Sequence, residues 1–152
     1  MFKQIVAMQS LTSNKFQTMV LLGLLILSIS CAIQKDQTEL ANVFTEISFG
    51  SGGGFTGASS NYILKNNGEV FKMEKTIPYK INKISKKEIK SISDYIKEIG
   101  FQNLSLNERG NITYFIEIKS NTYIHKVIWT DGSKSPEVVE LYKILVNTLK
   151  FN

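Results

Sequence analysis

An uncharged apolar run, MVLLGLLILSI from Met19 to Ile29, ends two residues before Cys31, the only cysteine in the 152-residue chain. Upstream stand Lys3 and Lys15 and no acidic residue. A basic leader, an apolar segment, a small residue (Ser30) and then a thiol describe a secretory signal that bacteria cut just before a lipid-modified cysteine. On this reading residues 1–30 are removed, and only the chain from Cys31 onward has to fold. The run is shorter than the roughly 20 apolar residues of a membrane-spanning helix. As a buried core helix it would lack polar residues at helical spacing. Ser28, rather than an aliphatic residue, stands three before the cysteine, with Leu27 one further out. If Cys31 is not acylated, ordinary signal cleavage or an uncleaved anchor is the alternative.

A lone cysteine cannot close an internal disulfide, so packing must supply the stability; acylation would also account for the odd thiol. Residues 31–42 read as the lipidated Cys31 and a polar tether, because AIQKDQTELA has no apolar periodicity. Residues 43–152 suffice for a single domain with one core. Loss of Lys3 and Lys15 lowers the formal charge of +5 to about +3. The remaining lysines are scattered among acids, with no basic stripe interleaved with aromatics. A nucleic-acid partner is therefore not expected.

Alternation from Val43 to Phe49 predicts a first strand. Tyr62–Lys65 and Glu69–Met73 flank Asn66-Asn67-Gly68, which predicts a hairpin with a type I′ turn. Residues 77–84 read as an extended lead-in to a helix. That helix is marked by a capping box, Ser85 to Glu88, and by Ile89, Ile92, Ile96 and Ile99 on one face. Gly100 supplies a left-handed C-terminal residue, and Phe101 can fold back on the last turn. Residues 112–118 and 123–129 predict two further strands. Pro136 opens a final helix, where its missing N–H costs nothing. Val138, Leu141, Tyr142, Leu145, Val146 and Leu149 form its apolar face. The expected fold class is α+β: an antiparallel sheet of about five strands, ordered β-β-β-α-β-β-α, with both amphipathic helices on one face.

Chemistry-bearing patterns are sparse. His125 is the only histidine, and no metal-ligand spacing surrounds it. No serine lies in a Gly-x-Ser-x-Gly elbow. Glu46, Glu69, Glu74 and Glu117 lie in or near strands whose alternation turns most of them outward, so paired carboxylates across a cleft are not expected. Neither a metal, a cofactor nor a catalytic function is predicted. Trp129 reads as core or rim packing.

The glycine-rich stretch GSGGGFTG, Gly50 to Gly57, holds five glycines in eight residues. Gly52 to Gly57 matches the string G-x-G-x-x-G. A dinucleotide loop needs a helix directly after it, whereas Ala58 to Leu64 reads as loop and strand. No Gly-Lys-Ser/Thr follows either, so nucleotide binding is not expected. Two readings stay open. One is a permissive turn or bulge joining the first two strands. The other is a partner-binding loop made of Gly52, Gly53, Gly54, Phe55, Thr56 and Gly57, with Phe55 as the apolar anchor.

After Cys31, Gln34-Lys35-Asp36 resembles the short polar and acidic export tag of surface-exposed lipoproteins of the Bacteroidetes group. The order of strand, Ser51–Gly57 turn, hairpin, helix, strand pair and Pro136-led helix resembles emfourin-type inhibitors of thermolysin-like metalloproteases. This resemblance covers most of residues 43–150. The chain departs from it in a third glycine and in its leader. Together these likenesses imply a non-catalytic lipoprotein of the bacterial envelope, held in the outer membrane by N-terminal acyl chains on its periplasmic or surface face. They imply a protein partner, with a protease as the candidate. A structural envelope lipoprotein, whose glycines only make a turn, is the alternative.

Overall fold

The computed structural model describes residues 39–54 and 57–150. The signal segment, Cys31 and the tether up to residue 38 lie outside these residues, as do Phe55 and Thr56. Residues 39–42, expected to end the tether, belong instead to a helical turn, α1, over 39–43. Leu40 packs against the core, and the Phe44 N–H donates to its carbonyl at 3.0 Å. Val43 and Phe44 are buried against the core beside it, so one helical turn shields several apolar groups at once. The first strand accordingly starts at Glu46 rather than Val43.

The fold is α+β. Four strands come first: β1 (Glu46–Gly53), β2 (Ser59–Lys65), β3 (Glu69–Glu74) and β4 (Ile77–Lys83). Helix α2 (Lys86–Glu98), a 3-10 turn (Phe101–Asn103), β5 (Ile112–Lys119), β6 (Ile124–Thr130) and helix α3 (Pro136–Asn147) come after them. The sheet has six antiparallel strands in the order β4-β3-β2-β1-β5-β6. The expected count of about five falls one short because the lead-in to α2 pairs with β3 along its length. Its Pro78 lies on an edge strand, the place within a sheet where a missing N–H is tolerated. At the opposite edge, residues outside the sheet cover β6. The Ile128 N–H donates to Leu106, and Ile128 accepts from the Glu108 N–H, each at 3.0 Å.

One face of the sheet is apolar, as strand alternation demands. Ile47 and Phe49 of β1, Leu64 of β2, Val70 of β3, Ile116 and Ile118 of β5, and Val127 and Trp129 of β6 are buried. They join the α2 stripe (Ile89, Ile92, Ile96) and the α3 stripe (Val138, Leu141, Leu145) in one core. The opposite face carries Glu46, Glu117, Lys119 and Lys126, tied by ion pairs of 3.1 to 3.9 Å. Lys126 also lies 4.8 Å from the centre of the Phe115 ring, which is how a solvated face shields an aromatic.

The Asn-Gly hairpin closes differently from expectation. Gly68 has φ 87°, but the only non-glycine among the described residues with positive φ is Lys75. Asn67 is therefore not in the left-handed region, and the turn is not type I′. Its side-chain oxygen accepts the Glu69 N–H at 3.0 Å, while the Gly68 N–H donates to Lys65 at 2.9 Å. This Asx arrangement leaves one left-handed residue in a three-residue loop.

Both helix boundaries obey their signals. The Ser85 hydroxyl accepts the Glu88 N–H at 3.3 Å, and the Glu88 carboxylate accepts the Ser85 N–H at 2.8 Å. Gly100 is left-handed, with φ 57°, and Phe101 behind it is buried. Hydrogen bonds from the Ser85 hydroxyl and N–H hold the Glu88 carboxyl below the usual glutamate value. A carboxylate depressed in this way stabilises the fold above its unfolded-state pKa, and that gain is lost as pH falls through the folded value. Ser85→Ala is expected to cost about 1 kcal/mol near neutral pH. The difference from the parent chain should narrow below about pH 4, as read from urea midpoints at the two pH values.

Candidate functional site

Sequence alone placed Gly50 to Gly57 outside the first strand. In the fold, Gly50 to Gly53 lie within β1, paired on one side with β2 and on the other with β5. Gly52 sits opposite Ser59 and Thr113, and Gly53 opposite Ile112. Propensity failed here because a central strand is held by two neighbours, whatever its own side chains prefer.

The glycines divide into two kinds. A Cβ at Gly50 would lie 2.0 Å from the Ser60 carbonyl oxygen. One at Gly53, where φ is 109°, would lie 2.2 Å from the Asn111 oxygen. Backbone packs against backbone at both, and only glycine fits. Gly54 and Gly57 also have positive φ, 74° and 62°, yet a Cβ at either would meet nothing within 4 Å. The root of the connection is pinned. The Gly53 N–H donates to Ala58 at 3.2 Å, the Gly54 N–H to Asn111 at 2.7 Å, and the Gly57 N–H to Gly54 at 3.1 Å. The segment thus has a pinned root, and space for a side chain beside Gly54 and Gly57. Phe55 and Thr56 of the expected loop, and the lipidation residue Cys31, fall outside the described residues.

Sequence reading missed the neighbourhood of this root. Ser51, just before Gly52, pairs with Ser60 and with Tyr114. The two serine hydroxyls are 3.2 Å apart. Tyr114 stacks on Trp129, with ring centres 5.7 Å apart and planes 22° from parallel. Tyr142 of α3 meets Tyr114, Trp129 and Phe49 edge-on at 5.5, 5.4 and 6.3 Å. Tyr62 lies against Phe49 at 5.6 Å. Trp129 is buried, as expected, while Tyr62, Tyr114 and Tyr142 remain partly exposed. Alternation could put each tyrosine on a face. It could not say that β1 stands between β2 and β5, which is what gathers them.

The electrostatics arise from these contacts. The Tyr114 hydroxyl donates to the Asp131 carboxylate, which, with burial, raises its pKa. Burial raises Tyr142, and the Ser51 hydroxyl hydrogen-bonded to it pulls the other way. Both phenols are neutral at physiological pH. They act as neutral donors and acceptors on apolar bodies.

His125 has a structural place. Its Nε2 is 2.8 Å from the Leu104 carbonyl oxygen, and its ring meets Phe101 edge-on at 5.7 Å. It pins the 3-10 turn to β6. Glu46 and Glu117 engage lysines on the open face, as Glu69 engages Lys80 at 2.7 Å. Among the described residues no group of three or more His, Cys, Asp or Glu side chains could hold a metal ion. A groove of about 320 Å³ lies between α1 and the end of α2, lined by Val43, Ile96, Phe101 and Tyr123 among others. Set against protein-family models and against curated proteins, the chain matches none.

Proposed function

We propose that this chain is a lipid-anchored protein of the bacterial envelope whose α+β domain binds a protein partner through Gly52–Gly57 rather than catalysing a reaction. A thermolysin-like metalloprotease is the candidate partner that the emfourin resemblance implies. One observation carries the reading: Gly53 and Gly54 are hydrogen-bonded into place at the root, while a Cβ at Gly54 or Gly57 would meet nothing within 4 Å. A rigid root lowers the ordering cost of binding. The free space beside Gly54 and Gly57 leaves room for a partner's backbone.

The alternative, a purely structural turn, gains support at Gly50 and Gly53, where steric need alone explains the glycine. At Gly54 and Gly57 packing does not call for glycine, although their positive φ does. Phe55→Ala separates the two readings. In an inhibition assay on a thermolysin-like metalloprotease, it should weaken the effect at least tenfold, about 1.4 kcal/mol, the scale of a lost interface anchor. The melting temperature should stay within a degree or two of the parent. Unchanged inhibition would remove the loop from the reading. Mass spectrometry of the mature N-terminus tests the anchor, which requires a chain that starts at an acylated Cys31.

A further inference from the structure

The charge of the described residues is concentrated at one edge of the sheet. Residues 65–90, which contain β3, β4 and the start of α2, hold eight lysines against Glu69, Glu74 and Glu88, a net of +5. The other described residues hold seven basic and nine acidic groups, a net of −2. Within the basic segment β4 is the outermost strand. Residues 74–80, the β3–β4 turn and the first half of β4, are all exposed. Among them Ile77 is 71 % and Tyr79 37 % exposed.

Two ordinary explanations fall short. Protection of a sheet edge accounts for Pro78, Lys80 and Lys83, which deter a further strand. It does not account for Ile77, a large apolar group displayed at that same edge. Nor does helix stability account for Lys86 and Lys87. They occupy the first two positions of α2, where the macrodipole disfavours positive charge. Neither forms an ion pair among the described residues. The acids of the edge are already engaged, Glu69 by Lys80 at 2.7 Å and Glu74 by the Tyr79 hydroxyl at 3.3 Å.

The geometry points to a docking edge for an anionic lipid bilayer, with Ile77 and Tyr79 entering the interface and Lys75, Lys80, Lys83, Lys86 and Lys87 meeting the head groups. A bilayer requires only positive charge and apolar area along one plane, and tyrosine suits the head-group level. This surface deepens the lipid-anchor reading proposed above, on which it rests. The chain can make both contacts at once. The Asn121 N–H donates to Ala41 at 3.1 Å, so the chain enters the domain beside the β5–β6 turn. That turn lies four to five strand spacings from β4, about 19 to 24 Å. Cys31 and Glu39 are eight residues apart, a reach of about 26 Å at full extension. The glycine connection joins β1 to β2, two strands or more in from β4, and stays free for a protein partner.

The test uses the full chain as the cell processes it, reconstituted into vesicles. Cys31 is the only cysteine and is blocked if acylated, so Ile77→Cys and Ile124→Cys each supply one thiol for an environment-sensitive fluorophore. Ile77 and Ile124 are 71 % and 70 % exposed, on opposite edge strands. In phosphatidylcholine vesicles containing about a third phosphatidylglycerol, the probe at position 77 should brighten at least about twofold and be quenched by nitroxide-labelled head groups. The probe at position 124 should stay in water. Lys86→Glu combined with Lys87→Glu suits the α2 dipole, so the fold is kept; it should lower the ratio of docked to undocked chains at least about tenfold. Salt at about 1 M, where the screening length is about 3 Å, should release the edge as well. A position-77 probe that stays in water, or one that responds equally in pure phosphatidylcholine, overturns the proposal. So does an equal response at position 124, or one produced as strongly by soluble polyglutamate, which would make the edge a site for acidic protein. Failure of the parent reading looks different: the chain without added cysteines would take up label at a free Cys31, and the docking proposal would fall with the anchor.

Discussion

Gly50→Ala is expected to destabilise the domain by about 3 kcal/mol or more, while Gly52→Ala, two residues on in the same strand, is nearly neutral. The added carbon at Gly50 would stand 2.0 Å from the Ser60 carbonyl oxygen and 2.9 Å from its carbon. These are backbone atoms of the neighbouring strand, so no rotamer change relieves the contact. β1 and β2 must separate, in the middle of a sheet whose next pairs, Phe49 with Tyr62 and Ser51 with Ser60, set the aromatic cluster. Overpacking at flexible sites costs about 1 to 3 kcal/mol; a clash with fixed backbone lies at or above the top of that range. At Gly52 the new methyl meets only the Ser59 Cβ at 3.6 Å, an ordinary contact. Alanine there also trims unfolded-state entropy. Urea and thermal unfolding of the two variants side by side decide the matter. A melting temperature that falls by more than about 10 °C for Gly50→Ala, and by almost nothing for Gly52→Ala, is the expected pattern. Equal effects would mean that β1 does not take the close approach to Ser60.

The contrast between these two glycines also shows where sequence reading stops. A run of glycines says that side chains are absent; it does not say which absence is needed. Gly50 and Gly53 look like turn residues in the string GSGGGFTG, yet they lie in the strand that anchors both halves of the sheet. Local signals were sufficient wherever one residue's chemistry settles a boundary. Ser85 and Glu88 close a capping box, Gly100 takes the left-handed region, and Pro136 opens α3. The isoleucine and leucine stripes of both helices are core for the same reason: 3.6-residue spacing fixes one face independently of the partner. The fourth strand was harder. Ile77–Lys83 has an exposed first half and is recognisable as sheet only through its partner β3. The aromatic cluster around Tyr142 was not legible at all. It depends on non-local strand order, and no spacing along the chain brings Tyr62, Tyr114 and Tyr142 together.

The order that gathers those rings passes through one side chain, and its removal should give the other large effect. Phe49→Ala is expected to cost about 3 to 5 kcal/mol, a large share of the roughly 5 to 15 kcal/mol that holds a domain of this size together. Phe49 is fully buried at the centre of β1, between Tyr62 of β2 and Ile116 of β5. Its ring also meets Tyr142 edge-on, so sheet and α3 both lose a partner when it goes. The surrounding strands are fixed by ladders on either side, which limits collapse into the cavity and keeps the cost near the upper end. Phe49→Leu retains much of the volume and should cost no more than about 1.5 kcal/mol. A double-mutant cycle with Tyr142→Ala should show a coupling of about 0.5 to 1.5 kcal/mol, the aromatic contribution beyond area burial. The readout is the urea midpoint at unchanged slope, since a changed slope would report a different denatured state instead. A loss under about 1 kcal/mol for Phe49→Ala would show that the centre of β1 is not enclosed. The tyrosines beside it would then pack on no rigid floor.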